Sequence, residues 1–157
     1  MAALGHSAGR QDFLKTFREA AGSIAKEFSM DTTPNQDKTT LVLGASDNPE
    51  RTSFTALNML TEAGVPVLAV GLKEATVAGV PIRKGTDWLP ETPIHTVTMY
   101  MNAQRQQEYE DLVLRLHPHR IIFNPGAENP ALARKAEDAG IQTVNACTLV
   151  MLTFGQF

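Results

Sequence analysis

The chain has 157 residues, 14 Lys+Arg against 17 Asp+Glu, a net charge of −3 and 43% hydrophobic residues. This fits one domain with a proper core and lacks the basic surplus of a nucleic-acid binder. One cysteine makes no disulfide within the chain and no cysteine cluster for zinc, so a cytoplasmic setting is expected; no apolar run approaches the ~20 residues of a membrane span, and the first residues do not read as a secretory signal.

Residues 12–28 place Phe13, Leu14, Phe17, Ala20, Ala21, Ile24 and Phe28 on one side of a helix, the spacing of an amphipathic segment. Its charges alternate in sign, which argues against a membrane-surface helix and for docking onto the main domain or a partner subunit. Residues 29–38 are polar, contain Pro34 and read as a linker. Residues 1–37 are therefore expected as an appendage and residues 38–157 as the main domain.

From Thr39 short apolar runs alternate with helical stretches. Leu41-Val42-Leu43 reads as the first strand, ending at Gly44. A helix starting near Pro49 carries Phe54, Leu57 and Leu60 inward and ends at Gly64. Val67 to Val70 is the second strand. The stretch from Lys73 to His95 lacks a helical period, and a short strand near Val80-Pro81-Ile82 and a turn near Asp87-Trp88-Leu89 are expected there. Val97 to Met101 is the third main strand, and Asn102 caps a helix bearing Tyr109, Leu112, Val113 and Leu116. Ile121-Ile122-Phe123 is the fourth, residues 130–139 a helix stopped by Gly140, and Ile141 to Val144 the fifth. Residues 148–157 are apolar and stay unassigned. Apolar strands alternating with helices predict an α/β fold with a parallel sheet covered on both faces.

In such a sheet the ligand lies beyond the carboxyl ends of the strands, where the strand order reverses. After the first strand stand Gly44, Ala45, Ser46, Asp47, Asn48, Pro49, Glu50 and Arg51. Gly44 permits a tight turn, Ser46 and Asn48 offer hydrogen bonds, the following helix points its N-terminus into the cleft, and Arg51 adds charge. That is a pyrophosphate site in outline. It is not G-x-G-x-x-G, since Ser46 stands where the second glycine belongs. A nicotinamide-dinucleotide domain ends its second strand with an acid that binds the ribose hydroxyls. Here the strand closes on Gly71, followed by Leu72 and Lys73, which suits a phosphorylated ribose and leaves coenzyme A and NADP as ligands. A solvated surface lysine is the plainer reading of Lys73.

Gly44-Ala45-Ser46-Asp47-Asn48-Pro49-Glu50-Arg51, Val70-Gly71-Leu72-Lys73 with Gly79-Val80-Pro81-Ile82, Asn124-Pro125-Gly126-Ala127-Glu128-Asn129, and Ala139-Gly140-Ile141 with Cys147 together resemble the small CoA-binding-domain proteins. These are Rossmann-like single domains similar to the N-terminal domain of the succinyl-CoA synthetase α subunit. The resemblance spans roughly residues 38–157. It implies a doubly wound, five-stranded parallel sheet in the order 3-2-1-4-5. It also implies that the turn at Ser46, Asp47, Asn48 and Pro49 wraps the phosphates and that Lys73 contacts the phosphorylated nucleotide. Met101, Asn102 and Ala103 would flank the coenzyme beyond the third strand, with Asn124, Pro125 and Gly126 as a wall beyond the fourth. The ligase's catalytic phosphohistidine belongs to a second domain, so the implied role is a coenzyme A or acyl-CoA binding module, non-catalytic or regulatory, with an NADP-dependent oxidoreductase or another nucleotide-binding domain as the alternative.

Other residues point less far. Cys147 reads as a small buried hydrophobe, with a mixed disulfide to the coenzyme thiol as its reactive alternative. His117-Pro118-His119 has no partner at metal-ligand spacing, and His95 opens a strand, so no metal is expected. No Ser/His/Asp order appears. The helix at 12–28 and the apolar residues 149–157 are surfaces that a homodimer would cover, as would packing within one chain.

Overall fold

The computed structural model describes residues 31–157; the expected amphipathic helix at 12–28 lies outside the described residues. Residues 33–157 form one compact unit around a seven-stranded sheet. The central strand is β1 (Thr40–Ala45), whose Leu41, Val42 and Leu43 are fully buried. It pairs in parallel with β2 (Val67–Gly71) on one side and β5 (Thr96–Met99) on the other; β6 (Arg120–Phe123) and β7 (Gln142–Asn145) continue outward from β5.

The expected five strands in the order 3-2-1-4-5 are corrected here. Beyond β2 lie β4 (Val80–Arg83) and then β3 (Ala75–Val77), giving the order β3-β4-β2-β1-β5-β6-β7. The short run at Val80 is the strand the sequence predicts, and it joins the main sheet. It pairs in parallel with β2, Ala69 opposite Ile82, and so fills the outer position that the strand after Val97 was to take. That strand, β5, joins the other side of β1 instead. Ala78 and Gly79 both have positive φ, 52° and 77°, which closes the β3–β4 hairpin with the twist that two-residue turns favour. The expected turn near Trp88 is present, with Leu89 N–H bonded to the Thr86 carbonyl at 3.1 Å.

Because crossovers are right-handed, reversing direction at β1 puts helices on both faces. Leu41, Leu43, Val70, Val97, Met99, Ile121 and Phe123 pack on one face in a single cluster with Val113 of α3 (Glu110–Leu116) and with Leu132 and Ala136 of α4 (Pro130–Asp138). On the other side α1 (Thr52–Glu62) lies against β1, β2 and α5 (Thr148–Thr153). Part of the unassigned tail is thus helical. Lys38, expected at the end of a polar linker, is buried instead, and its Nζ donates to the Phe157 carbonyl at 2.6 Å.

Gly64 and Gly140 stop their helices with positive φ, 77° and 85°. Asn129 caps α4 by accepting from Leu132 N–H at 3.1 Å, with Pro130 in its first turn. Asn102 caps α2 (Ala103–Gln106) by accepting from Arg105 N–H at 2.9 Å, but the expected continuous helix breaks into α2, a 3-10 turn at Gln107–Tyr109, and α3. The helix expected from near Pro49 starts later. That helix begins at Thr52, with Arg51 at its N-terminus and no side-chain cap.

Candidate functional site

The six parallel strands, β4, β2, β1, β5, β6 and β7, end along one edge of the sheet, and the chain reverses its winding between β1 and β5. Ligands bind at such a switch point. The corrected strand order decides its walls: the residues beside the loop after β1 are those after β5, whereas the loop after β6 stands one strand further out.

Two glycines bring these loops together. Gly44 has φ +92°, and a Cβ there would sit 2.9 Å from the Tyr100 carbonyl carbon and oxygen. Tyr100 N–H in turn bonds the Leu43 carbonyl at 2.8 Å. A Cβ on Gly71 would strike the Ala45 carbonyl oxygen and approach Ile82 Cγ2 to 2.8 Å. The ends of β1, β2 and β5 therefore touch backbone to backbone, which only glycine allows at these two points.

Beyond Ala45 the chain turns through half-buried Ser46 and Asp47 and exposed Asn48, Pro49, Glu50 and Arg51. Ser46 Oγ accepts from Asn48 N–H at 3.1 Å, and Asn48 Oδ1 accepts from Glu50 N–H at 3.0 Å. The side chains that were to meet a phosphate thus fold the turn locally. The first N–H groups of α1 have no side-chain cap, which leaves the positive end of an 11-residue helix open at this edge. From the loop after β2, Lys73 Nζ reaches Asp47 Oδ2 at 3.2 Å, with side chains 74% and 39% exposed. Lys73 thus bridges the two loops. Glu50 and Glu74 stand in the same segments as Arg51 and Lys73, so the basic pair shares the edge with three acids, Asp47 included.

Along the other wall, Met101 is buried in the core cluster, Asn102 Oδ1 accepts the α2 cap bond, and half-buried Ala103 opens α2. Behind them Gln106, fully buried, donates through Nε2 to the carbonyls of Met101 (2.8 Å) and Ala127 (2.6 Å) and accepts from Asn129 Nδ2 at 2.9 Å. This amide ties the loops after β5 and β6 together. It escaped sequence reading because it is one of three glutamines in residues 104–107 and only tertiary contact marks it.

Asn124 is 2% exposed. Its Nδ2 donates to Thr98 Oγ1 (2.8 Å) and the Met99 carbonyl (2.9 Å), and its Oδ1 accepts from Thr148 N–H at 2.8 Å. Pro125 and Gly126, the latter with φ +89° and its N–H on the Glu128 carboxylate, are exposed. Tyr100, read from sequence as a strand residue, leaves the strand and buries its hydroxyl beside Thr98 and Thr148. Those two hydroxyls bond each other at 2.8 Å, and Tyr100 Oη gains no well-aligned bond from either. Burial pushes the phenol from 10.0 up to about 12; the Thr148 hydroxyl opposes this, a charge on Cys147 adds to it, and Thr98 opposes it further. Cys147, expected as buried, is half-buried at the start of α5.

Comparison with known proteins agrees with this architecture. The model of the CoA binding domain family matches residues 38–153. An uncharacterized protein of known crystal structure is 39% identical, with a TM-score of 0.71, over 76% of this chain and 98% of its own. Two others share the fold at 22% identity. A hypothetical protein from Pyrococcus horikoshii OT3 has a TM-score of 0.67 over 80% of this chain and 97% of its own. A Thermus thermophilus protein has a TM-score of 0.68 over 87% and 98%. No curated protein matches the chain.

Proposed function

The chain belongs to the CoA binding domain family, and on that premise we propose that it binds coenzyme A or an acyl-CoA at the switch point between β1 and β5, as a binding or regulatory module in the cytoplasm. The observation that carries this reading is Lys73. It stands just beyond β2, where a dinucleotide domain places an acid, and it reaches across to the loop after β1. A phosphate on the ribose meets a cation there, whereas bare ribose hydroxyls would lose their usual carboxylate.

The residues fit such a ligand. Gly44, Ala45 and Gly71 let three loops close on one another. Ser46, Asp47, Asn48 and Pro49 form the turn around the pyrophosphate, with the open end of α1 and Arg51 supplying positive potential. Met101, Asn102 and Ala103 line the neighbouring wall, with Asn124, Pro125 and Gly126 beyond. When bound, the coenzyme supplies its thiol, and this chain's part is to hold the nucleotide.

Calorimetric titration with CoA, NADP and NAD tests the reading. CoA is expected to bind tightest, and tighter binding of either dinucleotide overturns it. Lys73→Met should weaken CoA about tenfold, the weight of one charge-assisted phosphate contact, while leaving thermal unfolding where it was.

A further inference from the structure

Asp47 presents a conflict of charge. It sits in the turn proposed to surround a polyphosphate, where an unneutralised carboxylate repels the ligand, and Lys73 is what neutralises it. The same lysine is the cation assigned to the phosphorylated ribose. Resting on the coenzyme reading, we propose that Asp47 and that ribose phosphate compete for Lys73. The Lys73–Asp47 pair is the latch of the free protein, and binding exchanges the carboxylate for the phosphate.

The pair is built for exchange. Its two side chains are 74% and 39% exposed, joined by one contact at 3.2 Å, and exposed ion pairs of this kind contribute little. Lysine carries a compact charge with three rotatable donors on a flexible stem, so it can leave Asp47 without moving the backbone. That backbone is fixed independently by the close approach of Gly71 to Ala45. A phosphate offers more charge and more acceptor oxygens than a carboxylate, which favours the exchange. A ligand without the ribose phosphate gives Lys73 no reason to leave. Asp47 is then a specificity-determining residue that costs affinity for the phosphorylated ligand.

Calorimetric titration of the full chain with CoA and with dephospho-CoA tests this, using Asp47→Asn, Lys73→Met and the double variant. Asp47→Asn should tighten CoA about fivefold, the scale of one exposed ion pair, and tighten dephospho-CoA by less, so that the preference for CoA over dephospho-CoA widens. With Lys73→Met already present, Asp47→Asn should no longer change the ratio of the two affinities. Weaker CoA binding by Asp47→Asn would mean that Asp47 positions Lys73 for the ligand, and an equal gain for both ligands would mean simple charge repulsion. Either overturns the exchange while leaving the coenzyme reading intact. Failure of the unaltered chain to bind CoA overturns both.

Discussion

The loops after β1 and β6 each carry an Asn-Pro pair, and the two asparagines do opposite work. Asn124 is buried, and both ends of its amide are spent inside the protein, joining β5, β6 and the start of α5. Asn48 is exposed, and its carbonyl oxygen only steadies the turn it belongs to. A polar group enclosed by protein needs its partners, because nothing replaces them if they go. One at the rim can exchange its partners for water or for a ligand. The β6 loop is thus a structural joint, and the β1 loop, with Lys73 leaning over it, is the side of the edge where the proposed anion site lies.

The hardest break of this contrast is Asn124→Ala. It strands the Thr148 N–H and opens a gap beneath α5, and urea unfolding should show a loss of about 4 kcal/mol. Gly44→Ala comes next and shows that the open loop has a rigid root. An added methyl meets the Tyr100 backbone at a position with φ +92°, and a loss of about 3 kcal/mol is expected by the same measurement. Tyr100→Phe is read at high pH. Folding raises this phenol from 10.0 to about 12, so its protonated form is favoured in the folded state. The contribution is whole below pH 10 and is lost as pH rises through 12, at about 1.4 kcal/mol per pH unit between them. Alkaline unfolding of the Phe variant should lack that slope. The smallest effect is Asn48→Ala, whose thermal midpoint should shift by no more than the equivalent of about 0.5 kcal/mol. A loss near that of Asn124→Ala would erase the distinction between the loops.

Much of the site's composition was legible in sequence because the residues after β1 and β2 are consecutive and their chemistry is local. Ser46, Asn48 and Lys73 stand out as candidates from their place after a strand, and Asp47 only through the family resemblance. Asn124 could also be named, but its role could not. Being spent on Thr98 and Thr148 depends on residues 26 and 24 positions away, and no local pattern encodes that. Tyr100 was hidden for a related reason. It reads as strand, and only the approach of Gly44 shows that the strand has already ended.

The sequence by itself determined that β and α segments alternate, since apolar runs of strand length between amphipathic helices bury their surface in few other ways. It also determined that a polar, glycine-led turn follows the first strand and that no acid closes the second. Tertiary structure decided which strands are neighbours. The hairpin at residues 75–83 takes the outer side of β2 with only two paired positions in parallel, Ala69 with Ile82 and Val70 with Arg83, and sends β5 to the other side of β1. Strand pairing is won by contacts distant in sequence, so a short strand that looked like a loop detail set the order of the sheet. That order chose Tyr100 to Ala103 over Asn124 to Gly126 as the near wall of the crevice. It also set Lys73 against Asp47, turning two separate surface charges into one contact.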